Sequence, residues 1–161
     1  MKNVLFYLIA MMAFSCNQAP SNNNLLQKKI DSLQAEINNS YKPGLGEFMS
    51  QIQMHHAKLW FAGKEENWEL ANFEIGEIQE ALEDIPRYCA DRLEVKSIDM
   101  IIPAMDSLSN AVKVKDENKF RNGFILLTAT CNDCHKATNH GFNVIKIPDV
   151  PPITNQFFKP Q

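Results

Sequence analysis

The sequence predicts an all-α protein: an antiparallel four-helix bundle followed by a Pro-rich extended C-terminal tail. Three observations predict it. Apolar residues recur at steps of three and four through four consecutive segments, the period of a helix with one buried face. The connections between those segments are short, which favours antiparallel neighbours. No segment alternates apolar and polar residues with period two over a useful length, so strands are not expected.

The first bundle helix is expected from about Leu45 to Ala62. The second, from about Glu65 to Glu83, places Trp68, Ala71, Ile75, Ile78 and Leu82 on one face, and Pro86 closes it. Its acidic residues, Glu65, Glu66, Glu69, Glu74, Glu77, Glu80 and Glu83, read as a solvated face. A short segment holding Tyr88 and Cys89 leads to the third helix, about Ser97 to Val114, with Pro103 as a local kink. Its stripe is Ile98, Ile101, Met105, Leu108 and Val112. Asp116 is a good N-cap for the fourth helix, about Glu117 to Ala137, whose stripe is Phe120, Phe124, Leu127, Cys131 and Cys134. After His140 and Gly141 the chain turns apolar and Pro-rich, and this content suits a tail that covers something.

Upstream of the bundle the chain divides into residues 1–15, a signal peptide, and 16–43, a linker. Lys2 precedes an apolar run from Val4 to Phe14, too short for a permanent membrane helix, which needs about 20 residues. It reads as an export signal. Ser15-Cys16 and the polar stretch from Asn17 to Asn24 follow it. This resembles the cleavage box of bacterial lipoproteins, which implies that Cys16 is acylated and anchors the chain to a membrane. Ala13 and Phe14 stand where that pattern has leucine and a small residue. Leu26, Ile30, Leu33 and Ile37 then recur at steps of four, three and four, a short amphipathic helix read as a spacer between membrane and domain. Asn38 to Gly44 breaks it, and residues 44–161 form the main domain.

A formal charge of −3 and no cluster of Lys and Arg argue against nucleic acid as a partner. The four cysteines are Cys16, Cys89, Cys131 and Cys134. The last two lie in Cys131-Asn132-Asp133-Cys134-His135, a C-x-x-C-H sequence. Two thiols one turn apart can both add to the vinyl groups of one porphyrin edge, and the adjacent histidine can reach the iron beneath it. The expectation is one covalent haem c, with Cys131 and Cys134 attached and His135 as proximal iron ligand. A thioredoxin-like dithiol would want a β-α-β context, and a zinc site two further ligands at regular spacing. Cys89 is left as a buried apolar residue.

The motif on the last of four helices resembles the cytochrome c prime family in layout over residues 45–137. In motif the resemblance rests on Cys131, Cys134 and His135 alone. It implies a haem at one side of the bundle, with the first helix supplying the residue on the distal side. That family ends soon after its motif, whereas here the Pro-rich segment follows. The sequence Met54-His55-His56-Ala57-Lys58-Leu59-Trp60-Phe61-Ala62-Gly63, Asn67-Trp68 and the segment from Gly141-Phe142 to Phe157 look like a group of largely uncharacterised bacterial haem-binding proteins.

No methionine follows His135, so the second axial ligand is not a downstream methionine; the main candidates lie upstream, and the sixth position could also be empty. With Ile52 at the centre of the first helix's buried face, His56 falls about 40° away, Met49 and His55 about 60° away, and Met54 about 160° away. His56 is therefore the candidate distal ligand, with Met49 or His55 as alternatives and His140 behind them. No nucleophile and base set or phosphate loop is evident, so the chain reads as an electron carrier and not an enzyme. The expected function is single-electron transfer between redox protein partners by a periplasmic or outer-membrane-anchored lipoprotein. The rival reading is a five-coordinate gas-binding haem protein. A third is an accessory haem subunit of an oxidoreductase, and homo- and hetero-oligomers both stay open.

Overall fold

The structure, a computed structural model, describes residues 20–161, which fall into two compact units meeting at Tyr41 and Lys42. The signal segment, Cys16 and the start of the linker lie outside the described residues. Within them the chain is all-helical, with no strand. Among the described residues no helix is long and apolar enough to cross a membrane.

The described residues of the first unit form one helix, α1 (Pro20–Asn39). It begins earlier than the polar composition of residues 17–24 suggested, because proline in a first turn has no N–H to lose. The second unit holds α2 (Leu45–Lys64), α3 (Trp68–Tyr88), a 3-10 helix (Leu93–Ile101), α4 (Ile102–Lys113) and α5 (Glu117–Ala137). Helix α2 packs on α3 and α5, and α4 packs on α3 and α5. Phe120 and Phe124 of α5 are fully buried at the centre. Trp60 of α2 lies 4.9 Å from the Phe124 ring, and Trp68 meets Phe120 edge-on at 6.1 Å. Gly63 lets α2 approach α5 here: a Cβ on it would lie 2.1 Å from Phe120 Cζ.

Two of the tight connections share one design. Helix α2 ends with Glu66 at φ 55° and a hydrogen bond from Asn67 N–H to Ala62 O, and Asn67 then caps α3 by accepting from Leu70 N–H. Helix α4 ends with Lys115 at φ 56° and Asp116 N–H bonded to Ala111 O, and Asp116 caps α5 by accepting from Lys119 N–H. In each case the residue that closes one helix opens the next. Helix α5 ends in the same way, with Asn139 at φ 63° and His140 N–H on His135 O at 2.7 Å.

Three expectations need correction. Pro86 does not close α3, which runs on to Tyr88 because fully buried Ile85 holds its last turn. Pro103 is not a kink but lies in the first turn of α4, after a 3-10 segment that begins before Ser97. Glu74 is not solvated: it is fully buried on the same face as Ala71, Ile75 and Ile78. The helical period places position 74 beside 75 and 78, and a polar residue there is kept by partners on α2.

Residues 138–161 contain no helix or strand. Phe158 is buried 5.7 Å from the Phe61 ring, and Ile147 and Ile153 pack on the core. Phe142, Val144, Val150 and Phe157 point outward.

Candidate cofactor site

One turn of sequence logic brings the C-x-x-C-H residues to a common place. The 3.6-residue period puts Cys131, Cys134 and His135 on the inner side of α5's last turns, and all three line one cavity of about 350 Å3. Leu45, Met49, Ile52 and His56 of α2 form an opposite wall, and Leu82, Ile98 and Ile101 add apolar surface. Arg92, Glu94, His140 and Asn143 supply a polar rim. A mostly apolar cleft with a few converging polar groups is the usual form of a cofactor site.

Cys131 and Cys134 are free thiols. Burial, helped by the neighbouring Cys134, pushes the Cys131 thiol up to about 12, and burial raises Cys134 as well. Neither is the activated thiolate of a redox dithiol. Among the described residues no three His, Cys, Asp or Glu side chains converge as metal ligands.

For histidines facing a backbone carbonyl the donor nitrogen is fixed, because a carbonyl only accepts. His135 Nδ1 lies 2.6 Å from Asn143 O, so Nδ1 donates; in the neutral imidazole Nε2 then carries the lone pair. This is how a metal-binding histidine is commonly oriented from behind. Asn143 is held there by Asn132, the residue after Cys131. The Asn132 amide donates to Ile145 O and accepts from Ile145 N–H, both at 2.8 Å, and also donates to Thr128 O at 3.1 Å.

His56 is buried, and burial lowers its pKa to about 4, so it is neutral at pH 7. Its ring lies 4.4 Å from that of Phe124, and its Nε2 lies 2.9 Å from Thr128 Oγ1. Thr128 gives its own proton to Phe124 O at 2.9 Å, so it accepts from His56 Nε2–H. His140 also reaches the cavity, with Nδ1–H on Thr138 O at 2.8 Å and Nε2 3.8 Å from Glu94 Oε1.

The structure thus gathers Cys131, Cys134, His135, His56, Met49 and His140 around one space. It does not bring His55 there. His55 Nδ1 lies 2.6 Å from buried Glu74 Oε2, and Lys58 Nζ sits 2.8 Å from Glu74 Oε1 as an ion pair rather than an aligned hydrogen bond. Cys89 is buried, with Sγ 3.7 Å from Pro43 O. Sequence reasoning missed Thr128, Asn132 and Asn143. Thr128 carries a signal, lying one turn before Cys131 on its stripe, whereas the reach of Asn132 to a tail residue 13 positions on has none.

The residues fit a haem. Two thiols and a histidine with a free Nε2 share a cleft of apolar walls, and the histidine's other nitrogen is already engaged. The chain matches no family model, no curated protein and no solved structure.

Proposed function

We propose that the chain is an exported, membrane-tethered monohaem c-type cytochrome that passes single electrons between redox protein partners. Cys131 and Cys134 hold the haem through thioether bonds, and His135 Nε2 faces the iron. When bound, the haem supplies an iron that gains and loses one electron. The chain's own residues fix the histidine, keep water from the apolar walls and present the polar rim. The observation that carries this reading is the Asn143 carbonyl at 2.6 Å from His135 Nδ1, which leaves Nε2 free in the cavity that both thiols line.

The antiparallel four-helix bundle of α2 to α5, with the haem at one side, belongs to the same proposal and is supported by the resemblance to the cytochrome c prime family. Export is supported by the apolar segment from Val4 to Phe14, and tethering by Cys16. With His56 as the sixth ligand, the iron would have two strong axial ligands and suit electron transfer.

The bond between His56 Nε2 and Thr128 favours a second reading, a five-coordinate haem that binds small gases. Expression of the full chain with c-type haem maturation tests the first point. Haem should stay with the polypeptide under denaturation, and the Cys131→Ser, Cys134→Ser pair should lose it. Denaturable, non-covalent haem, or none, would refute the reading. Low-temperature electron paramagnetic resonance and carbon monoxide then separate the two. A low-spin signal indifferent to carbon monoxide means electron transfer, and rapid carbon monoxide binding to the reduced protein means the gas-binding alternative.

A further inference from the structure

Helix α1 carries an apolar stripe that its own unit leaves uncovered. Leu26, Ile30, Leu33 and Ile37 are each about half exposed, from 49% for Leu33 to 58% for Leu26. Their spacing fixes heptad positions. A step of four followed by a step of three puts Leu26 and Leu33 at d, and Ile30 and Ile37 at a. One heptad before Ile30, the a position is Asn23, also exposed.

We infer that α1 is a parallel two-stranded coiled coil with a second copy of this chain. β-Branched residues at a with leucine at d favour two parallel strands, and one asparagine at a fixes register and strand number at some cost in stability. Both signals are present together. The flanks agree with self-pairing. In the parallel register, Lys29 at g faces Gln34 at e of the partner helix, so no like charges oppose one another. Gln27 and Gln34 are braced on their own helix by Asp31 and Asn38, at 2.8 Å and 3.1 Å, which keeps the e positions ordered beside the seam.

A lipid surface fits this stripe less well. The helix balances Lys28 and Lys29 against Asp31 and Glu36, and its apolar face has no aromatic residue. Interfacial helices are typically rich in Lys and Arg with aromatic anchors. The 20-residue helix spans only about 30 Å, short for a free coiled coil. Anchorage of both chains in one membrane, which rests on the tethering proposed above, would raise their effective concentration.

The test uses the full chain after haem maturation, carrying single new cysteines on α1, with the unsubstituted chain as the background for its native thiols. Under mild oxidation Ile37→Cys, at a, should give a disulfide-linked dimer, and Lys28→Cys, on the outer face, should not. Adding Leu33→Asp to Ile37→Cys should abolish the dimer band while leaving the haem spectrum unchanged. Three results would overturn the inference. They are linkage by Ile37→Cys no better than by Lys28→Cys, linkage in a mixture of Leu26→Cys and Ile37→Cys chains where Ile37→Cys alone gives none, and an Ile37→Cys thiol shielded by lipid with no dimer. Because the haem spectrum is read separately, failure of this dimer and failure of the haem reading are distinguishable.

Discussion

His56 and Thr128 meet across the core with Nε2 2.9 Å from Oγ1, and the threonine proton is already committed to Phe124 O. Iron ligation through Nε2 therefore requires that this hydrogen bond be given up, a net cost of about 1 kcal/mol. In the proposed haem protein Thr128 would compete with the iron for His56. Thr128→Val should raise the low-spin fraction of the ferric haem, and His56→Ala should remove it, both read by electron paramagnetic resonance. A low-spin signal that survives His56→Ala would exclude His56 as the ligand.

The buried His56 also makes stability depend on pH. Its pKa is about 4 in the fold, against 6.5 when unfolded. Between these values the unfolded chain binds the extra proton, so folding stability is intact above about pH 6.5 and falls as the pH drops toward 4. The loss amounts to roughly 3 kcal/mol and levels off below pH 4. The haem-free Cys131→Ala, Cys134→Ala chain should show it as a falling thermal midpoint. Adding His56→Gln, which retains a donor for Thr128, should flatten that part of the profile.

Glu74 is fully buried, and its carboxylate is shared by His55 and Lys58 on α2. Glu74→Ala would leave Lys58, itself 15% exposed, without its counter-charge, and should destabilise the fold by about 3–5 kcal/mol in chemical denaturation. Glu74→Gln, which keeps the shape and an acceptor oxygen, should cost less. His55→Ala should leave the haem spectrum unchanged, since His55 faces this carboxylate and not the cavity. A spectral change on His55→Ala would contradict that placement.

The contrast between α5 and α3 explains how much was legible in the sequence. Helix α5 runs from Glu117 to Ala137, as its period and Asp116 cap indicate, because local capping and one apolar stripe both specify it. Helix α3 keeps its stripe but outruns Pro86, and its buried Glu74 is satisfied by residues 16 and 19 positions away. Such partners are set by which helices pack, which no local pattern records. The site divides in the same way. Cys131, Cys134, His135 and His56 follow from motif and helical phase, whereas the Asn143 carbonyl reaches His135 only because the chain reverses after α5.

Asn132 is the hinge of that reversal. Its side-chain amide pairs with both backbone groups of Ile145, in the manner of a strand neighbour, and so holds the segment that carries Asn143 O against His135 Nδ1. In the proposed haem protein that hydrogen bond would make the imidazole a stronger electron donor through Nε2 and so would stabilise the oxidised iron. Asn132→Ala removes the pairing and leaves the Ile145 N–H and C=O to find water, at a cost of about 1–3 kcal/mol. The Ile145 amide should then exchange hydrogen faster. With the Asn143 carbonyl released, the reduction midpoint of the haem should rise, as followed by spectroelectrochemistry. A variant with faster exchange at Ile145 but an unchanged midpoint would show that the tail is held by Asn132 yet does not tune His135.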